Sequence, residues 1–321
     1  MSTIPHFPFP EPDLSSVMPP DTAPPVAAAT PSVLGRAILR TLIYADLFDY
    51  PLTCEEIAHY LMDCAATPAA TARALHEDAY LVGHIDSRDG FYFLRGREAV
   101  VATRRKRAAA SARLWPRAAR YTRLLRHFPF VRMLAVTGAL AMDNVAGNPD
   151  IDLLVISAPG RVWICRRLLI LAVRGIRVFG DEICPNFILA ADSLALPQQD
   201  LFIAHELAQM RPAGGHAVYA EMLAANGWLG RYLPNARPWP APVARRDRPH
   251  PLQRLAERVL SARVLDGWER WELERLRRKL GADPTGQGEV ACTPSQCKGH
   301  TGHYRRNVLR RFDERRAALG C

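Results

Sequence analysis

The part of the chain that most constrains the fold is the segment FVRMLAVTGALAMDNVAGNPDIDLLVIS, residues 130–157. Its first apolar run ends at Gly138, and a second apolar run, 153–156, directly follows Asp150 and Asp152. Short apolar runs rich in β-branched residues are typical of buried strands. We therefore expect two buried strands, 130–140 and 148–157, with a short helical or loop segment between them.

The two aspartates predict a site for a cation. Side chains at positions i and i+2 of a strand point the same way, with their Cα atoms about 7 Å apart. Two carboxylates so placed repel each other, and one tends to stay protonated. A divalent cation removes that conflict, and Mg²⁺ favours few carboxylates together with phosphate oxygens and water. Asp150 and Asp152 thus indicate half of a metal–phosphate site, the alternative being a solvated strand start.

The stretch VTGALAMDNVAGNPDIDLLVI resembles the signature of the DNA polymerase β-like nucleotidyltransferase superfamily, in its minimal, kanamycin-nucleotidyltransferase-like form. That signature is an apolar strand, Gly-Ser or Gly-Gly, a linker, and Asp-x-Asp opening a second apolar strand. The resemblance implies that an NMP group is transferred from a nucleoside triphosphate (NTP) to an unknown acceptor. It also implies Mg²⁺, or Mn²⁺, as the metal, and nucleic acid or a protein among the possible acceptors.

The resemblance assigns roles residue by residue. Gly138 and Ala139 correspond to the phosphate-contacting positions, where a glycine permits close backbone approach. Asp150 and Asp152 correspond to the catalytic metal ligands. The sequence departs from the family at Ala139, which is usually Ser or Gly, and at Pro149, which is commonly Ser.

A third catalytic carboxylate is expected on a later strand, and the run EICPNFILA (182–190) predicts that strand. Asp181 and Glu182 are the candidates. Glu182 is favoured because it shares one face of the strand with Cys184 and Asn186 by the alternation of side chains. Asn186 is a non-catalytic substitute in the same place, and a solvated acid at the strand edge is the alternative for Glu182.

Residues 33–100 predict a separate unit of three helices and a hairpin. The helix starts are indicated by Ser32, by the capping box of Thr53 and Glu56, and by Thr67 before a proline. A turn at 89–90 predicts the hairpin. This order resembles a winged helix-turn-helix, which implies DNA binding through the third helix. That helix carries Arg73 against two acids, so a protein-interaction role is the favoured alternative.

Residues 101–132 predict a basic helix with ten cations and no acid, interleaved with Trp115, Tyr121 and Phe128. This pattern is typical either of a solvated helix face or of a surface for polyphosphate or nucleic acid. The formal net charge of +10 favours a polyanionic partner, although high arginine usage alone also produces it. The cations are Arg104, Arg105, Lys106, Arg107, Arg113, Arg117, Arg120, Arg123, Arg126 and Arg132.

The fold expected from these patterns is α+β: a mixed sheet of nucleotidyltransferase type with flanking helices, the winged-helix-like unit and a helical C-terminal region. The domains are predicted as a Pro-rich disordered tail (1–32), the winged-helix-like unit (33–100), the nucleotidyltransferase-like domain with its basic leading helix (101–233), a Pro-rich linker (234–251) and the C-terminal region (252–321). Further helices are expected at 160–178, 198–210, 215–233, 252–280 and 301–318. His205 and Glu206 are interpreted as part of a helix face.

Two further patterns bear on ligands and location. Cys292, Cys297, His300 and His303 contain the ligand types of a Zn²⁺ site, but the spacing is not that of a standard finger, and a surface loop with unpaired thiols is favoured. Four arginines in 162–180 argue against a spanning helix and leave an interfacial helix as the alternative. Scattered cysteines and an N-terminus without a signal-peptide pattern predict a reduced, cytoplasmic protein.

Two functions therefore remain open. One is the Mg²⁺-dependent nucleotidyltransferase. The other is a non-catalytic, nucleotide-sensing regulator that binds nucleic acid or a protein partner through the winged-helix-like unit and the basic helix.

Overall fold

The computed structural model describes residues 31–147, 150–178, 180–237, 249–260, 264–281, 290–299 and 303–321. These residues form an α+β fold, as expected, with one antiparallel and one mixed sheet. They divide into two compact units. The first contains residues 31–109, 228–237 and 305–321, and the second contains residues 110–227 and the described part of 238–304.

The first unit has the element order helix, strand, two helices, a one-turn helix and two strands. Its sheet is antiparallel, with strand order β1-β3-β2. A 3₁₀ helix (Gly227–Arg231) and most of a C-terminal helix complete it. The elements are α1 (Val33–Asp46), β1 (Leu52–Thr53), α2 (Cys54–His59), α3 (Pro68–Glu77), α4 (Ala79–Val82), β2 (Ile85–Arg88), β3 (Phe91–Leu94), the start of α5 (Ala99–Leu125) and α12 (Tyr304–Ala318).

The helix starts of this unit lie where the local sequence predicts them. The Ser32 hydroxyl accepts a hydrogen bond from the Gly35 amide at 2.8 Å. Thr53 and Glu56 form both bonds of the capping box, which satisfies two amides that the first turn of a helix leaves without partners. The residues at 89 and 90 have positive φ, as a tight hairpin turn requires. The predicted helices and hairpin are therefore confirmed.

The C-terminal helix α12 is an integral part of the first unit. Asp46, which is only 6% exposed at the end of α1, binds Arg97 at 2.9 Å and also binds Arg315 of α12. The Phe312 ring packs edge-on against Tyr44, with 5.7 Å between ring centroids. A buried carboxylate is stable only when it is paired and hydrogen-bonded, so Asp46 depends on two arginines, Arg97 and Arg315, that are far apart in sequence.

The second unit is built on a six-stranded sheet of order β7-β4-β5-β6-β9-β8. Strand β5 pairs antiparallel with β4 and parallel with β6, and a helix connects β5 to β6. The elements are β4 (Val131–Val136), α6 (Gly138–Ala141), β5 (Asp150–Ser157), α7 (Val162–Arg177), β6 (Glu182–Ala190), α8 (Leu201–Gln209), β7 (Arg211–Gly214), α9 (His216–Ala225), α10 (Pro251–Val259), α11 (Val264–Leu280), β8 (Val290–Cys292) and β9 (Gln296–Gly299).

The three strands that the sequence predicts in this unit are confirmed. Residues 151–158 are all buried, because β5 lies in the middle of the sheet. The apolar helix 160–178 is also confirmed as a core helix: Trp163 and Leu169 of α7 are fully buried, whereas Arg174 and Arg177 are exposed. No helix within the described ranges combines the length and the apolar character that crossing a membrane requires.

Four predicted elements differ from the structure. The helix predicted at 215–233 is α9, which ends at Ala225, followed by the 3₁₀ helix Gly227–Arg231. The basic helix ends at Leu125, and Arg132 lies in β4, where its guanidinium binds Glu257 at 2.7 and 2.9 Å. The predicted helix 252–280 is two helices, α10 and α11. The expected surface loop around Cys292 and Cys297 is instead the buried hairpin of β8 and β9. Arg132 and the hairpin are held by residues distant in sequence, Glu257 and strand β6 respectively, and local patterns do not report such contacts.

Glu269 of α11 caps the N-terminus of α7, and its loss should destabilise the protein. Its two carboxylate oxygens accept the amides of Trp163 and Ile164, each at 2.7 Å, and no side chain of the preceding residue performs this role. Glu269→Ala leaves two buried amides without an acceptor, so we expect the free energy of unfolding to fall by about 2–4 kcal/mol. Denaturant titration measures this change.

Glu274→Ala is the matched control for that measurement. Glu274 lies on the same helix, is more than half exposed and pairs with Arg277 at 2.9 Å. An exposed ion pair of this kind contributes at most about 1 kcal/mol. Equal losses in the two variants would show that the cap of α7 contributes nothing specific.

Candidate functional site

The centre of the site is the N-terminal end of strand β5. Asp150 and Asp152 are its first and third residues and lie on one face of the sheet. Asp152 is only 2% exposed, whereas Asp150 is partly exposed. The strand therefore holds one carboxylate inside the domain and one at its surface, which is the arrangement of a site that is open on one side.

Gly138 lies directly against the Asp152 carboxylate. It begins α6 with φ of +64°, and the preceding amide, of Thr137, donates to the Asp152 carbonyl at 3.0 Å. A Cβ atom built on Gly138 would overlap Asp152 Oδ2 and lie 3.2 Å from its Cγ. Glycine is required here both by the backbone conformation and by the space that the carboxylate occupies. Ala139 is the second residue of α6.

The neighbouring strand β6 presents three polar side chains to the aspartates. In the parallel register Glu182 lies opposite Asp150 and Cys184 lies opposite Asp152. The pairing shifts by one residue after Leu153, and Asn186 lies at this bulge. Its Nδ2 donates a short hydrogen bond to Asp152 Oδ1, and its Oδ1 accepts from the Cys184 thiol at 2.6 Å. The bulge thus directs an amide donor at the buried carboxylate.

The two sequence candidates for a third acid have different surroundings. Asp181 is only 6% exposed. It accepts a hydrogen bond from the Tyr121 hydroxyl at 2.5 Å and forms an ion pair with Arg117 at 2.8 Å, and both of these residues belong to α5. It therefore ties α5 to the start of β6. Glu182 lies beside Asp150 and pairs with Arg177 at 3.3 Å, and it is partly exposed. Of the two, Glu182 is the one placed next to the aspartate pair.

Helix α8 brings a further carboxylate, Glu206, whose charge acts on Asp152. Burial raises the pKa of Glu206 to about 7, and the opposite charge of Lys298 on β9 lowers it. Lys298 is itself buried, with its ammonium 5.8 Å from the centre of the Phe187 ring. Glu206 lies on a helix face, as interpreted from the sequence, and its effect on Asp152 is what the sequence interpretation did not include. The available signal was a Glu in a helix that is otherwise almost wholly apolar.

The electrostatics of the pair follow from burial and like charge. Burial raises the pKa of Asp152 well above its usual range, and the charges of Asp150 and Glu206 raise it further, against the hydrogen bond from Asn186. Burial also raises the pKa of Asp150, its own backbone hydrogen bond lowers it, and Glu182 raises it. The site therefore concentrates negative charge that a cation would stabilise.

The connection between Gly138 and the aspartates is anchored by Asp143. Its carboxylate accepts a hydrogen bond from the Trp115 indole at 2.6 Å and from Arg211 of β7 at 2.8 Å. The Arg211 guanidinium also lies 4.9 Å from the centre of the Trp115 ring. Asp143 therefore fixes the segment between the glycine and the carboxylates to both α5 and β7.

The basic helix α5 has two kinds of cation. In the first unit, Arg104, Arg105 and Arg107 form ion pairs with acids at 2.8 to 3.1 Å. In the second unit, Arg113, Arg120 and Arg123 are exposed. The first group balances charge within its own unit, whereas the second group leaves positive charge exposed at the surface of the second unit.

Metal-ligand clusters of three or more His, Cys, Asp or Glu are absent from the residues that the structure describes. Of the four ligands considered for Zn²⁺, His300 lies outside the described residues, as does Pro149 before the aspartate pair. Cys292 and Cys297 are buried, and His303 is exposed just before α12. The chain matches no protein family model, no curated protein sequence and no solved structure.

Proposed function

We propose that the protein is a Mg²⁺-dependent nucleotidyltransferase, which transfers the NMP group of a nucleoside triphosphate to an acceptor. The observation that carries the proposal is the close approach of Gly138 to the buried Asp152 carboxylate, with Asp150 beside it on β5. A backbone without a side chain next to a pair of carboxylates provides room for a phosphate chain where a cation would be held.

The donor set fits Mg²⁺. Asp150 and Asp152 would hold the ion, because Mg²⁺ commonly takes one or two carboxylates and completes its shell with phosphate oxygens and water. When bound, Mg²⁺ would neutralise charge on the triphosphate and polarise the phosphoryl group. The charges of Asp150 and Glu206 raise the pKa of Asp152, and a cation at this position would offset their repulsion and allow Asp152 to ionise.

The chain's own side chains would position the reactants. The hydrogen bond from Asn186 holds Asp152 in one orientation, and the anchor through Asp143 holds the Gly138 segment in place. The acceptor oxygen would attack the α-phosphorus, and pyrophosphate would leave. Fixed geometry of this kind supplies much of the rate acceleration in phosphoryl transfer.

The first unit supports a role in partner binding within this proposal. Its element order and the strand order β1-β3-β2 are similar to those of a winged helix-turn-helix. Arg104, Arg105 and Arg107 of α5 are paired with acids of the same unit, so a protein or nucleic-acid acceptor would be recognised chiefly by other residues.

The direct test is transfer of label. Purified protein is incubated with each of the four α-³²P-labelled NTPs and Mg²⁺, alone and with a cell lysate. We expect label in a protein, nucleic-acid or small-molecule acceptor for at least one nucleotide. The double variant Asp150→Asn, Asp152→Asn should transfer none while remaining folded. Binding of NTP and Mg²⁺ without labelling of any acceptor would contradict the proposal.

A nucleotide-sensing regulator is the second candidate, and Asn186 is the observation that favours it. An amide occupies the place beside Asp152 where a third acid would complete a catalytic set. A domain with two carboxylates would bind nucleotide and Mg²⁺ without turnover. NTP binding by calorimetry, with no transfer, would support this candidate.

Asn186→Asp distinguishes a metal site from a merely structural pair. Without Mg²⁺, the new carboxylate faces buried Asp152, and we expect the free energy of unfolding to fall by about 1–3 kcal/mol. With Mg²⁺, a cation offsets the repulsion and much of that loss should return. Thermal unfolding in EDTA and in excess Mg²⁺ measures the difference.

The control for that comparison is Gln199→Glu, which makes the same amide-to-acid change at an exposed position. Its melting temperature should respond to Mg²⁺ as the wild type does. If the melting temperature of the Asn186→Asp protein responds to Mg²⁺ no more than that of the control does, the new carboxylate does not face a bound cation.

A further inference from the structure

Cys292 and Cys297 form a buried pair of thiols at the end of the sheet. They lie directly opposite each other on the antiparallel strands β8 and β9. Cys292 is 0% exposed and Cys297 is 5% exposed, and their side chains are hydrogen-bonded to each other. Opposed residues of antiparallel strands have Cα atoms about 4.5–5.5 Å apart, which is within the range that a disulfide spans.

The surroundings of the two thiols are unequal. Arg166 of α7 is hydrogen-bonded to the Cys297 thiol and lowers its pKa. The charge of Glu272 of α11 raises that pKa. Glu272 is itself held by Arg275 through two bonds of 2.7 Å and lies 3.9 Å from Arg166. The positive charge of Arg166 is therefore only partly offset at Cys297.

This environment makes Cys297 the reactive member of the pair. The hydrogen bond from Cys292 and the Arg166 guanidinium lower the pKa of Cys297 to about 7, despite its burial. The pKa of each of the other six cysteines, all of which lie in the described part of the chain, is raised, chiefly by burial or, for Cys292, by its hydrogen bond to Cys297. A thiolate, not a thiol, is the attacking species in sulfur chemistry.

We propose that Cys292 and Cys297 are a site of reversible oxidation by small hydroperoxides. The Cys297 thiolate attacks one peroxide oxygen, the O–O bond breaks, and the leaving hydroxide takes a proton to become water. The resulting sulfenic acid is attacked by Cys292: the S–S bond forms, the S–O bond breaks and a second water leaves. Two thiols are oxidised as one hydroperoxide is reduced.

Burial determines which oxidant fits. A thiol that is only 5% exposed admits a molecule of the size of H₂O₂ far more readily than a bulky peptide disulfide such as oxidised glutathione. The resolving thiol is already in hydrogen-bonding contact, so the sulfenic acid would have a partner without any rearrangement of the strands. The site is independent of the proposed nucleotide chemistry.

Mass spectrometry of the wild-type protein tests the proposal. Cleavage after lysine and arginine places both cysteines, and no other, in the peptide 280–298. After brief treatment with H₂O₂ and alkylation in denaturant, this peptide should lose two hydrogen atoms and resist alkylation until it is reduced. Cys165, equally buried but with a raised pKa, lies in the peptide 162–166 and is the internal control. Oxidised glutathione should leave both peptides unchanged.

Variants separate the roles of the two thiols. Cys292→Ser should stop at the sulfenic acid on Cys297, which dimedone added together with denaturant traps, and Cys297→Ser should abolish rapid oxidation. The wild-type rate should rise through pH 7 and then level off, because the thiolate fraction of Cys297 is nearly complete one unit above its pKa. Arg166→Gln should slow oxidation at pH 7 by roughly tenfold and move that rise to higher pH.

Three results would overturn the proposal. The first is a peptide 280–298 that stays reduced while Cys165 or the more exposed cysteines oxidise. The second is a Cys297→Ser protein that oxidises at the wild-type rate. The third is a wild-type rate that does not change with pH between 6 and 8, the range around the pKa of Cys297. The first is read from the unmodified protein and so does not depend on whether a variant folds.

Discussion

Asp152→Asn should abolish transfer of label from α-labelled NTP, by at least about a thousandfold. The substitution keeps the shape of the side chain and an oxygen that accepts the hydrogen bond from Asn186, but it removes the charge that would hold Mg²⁺. Because Asp152 is 2% exposed, its charge is costly to bury, and the Asn variant should be as stable as the wild type in EDTA or more stable. Labelling and denaturant unfolding on the same preparation measure both quantities.

Asp192→Asn is the control, since it makes the same change at an exposed aspartate on the connection to α8. It should retain full transfer. An Asp152→Asn protein that transfers label at the wild-type rate would remove Asp152 from the chemistry. An unfolded one would assign it a structural role instead.

Gly138→Ala should reduce transfer to background and destabilise the protein. The added Cβ would overlap the Asp152 carboxylate, and φ of +64° is unfavourable for alanine by about 1–2 kcal/mol. Either the Asp152 carboxylate or the start of α6 must move. In the proposed site, the carboxylate would hold the cation and the start of α6 would lie against the triphosphate, so either movement would separate the two. NTP binding by calorimetry, together with thermal unfolding, reports the loss.

Gly160→Ala separates the two causes. Gly160 has φ of +63°, almost the same as Gly138, but nothing lies within 4 Å of a Cβ built there. It should show the backbone cost without loss of nucleotide binding. If Gly138→Ala costs no more stability than Gly160→Ala and binds NTP normally, the close approach to Asp152 has no functional meaning.

Local sequence predicted the parts of the fold that local physics determines. The strands β4, β5 and β6 are apolar runs that lie side by side in the sheet, and their lengths were predicted within a few residues. Caps at Ser32, Thr53 and Thr67 each satisfy amides within three residues of themselves, so the sequence carries the whole interaction. The predicted positions of Asp150 and Asp152 follow from the same alternation.

Long-range contacts account for what the sequence did not predict. The charge of Glu206 raises the pKa of Asp152, but the two residues are more than fifty positions apart along the chain, so no spacing rule connects them. Cys292 and Cys297 were interpreted as part of a surface loop because their spacing with the two histidines is not that of a standard zinc finger, whereas β9 in fact pairs with both β8 and the distant strand β6. The roles of Asp150, Asp152 and Gly138 in chemistry stay a prediction that labelling will decide.

The two arginines on Asp46 have a consequence for biosynthesis. A ribosome makes α1 and its buried carboxylate early, yet Arg315 and Phe312 emerge only after the whole second unit has been translated. Until then Asp46 lacks one of its two arginine partners, and the Tyr44 ring lacks its contact with Phe312. The first unit therefore completes its folding after the second has been synthesised, and the nascent chain in that interval is the form most exposed to chaperones and proteases.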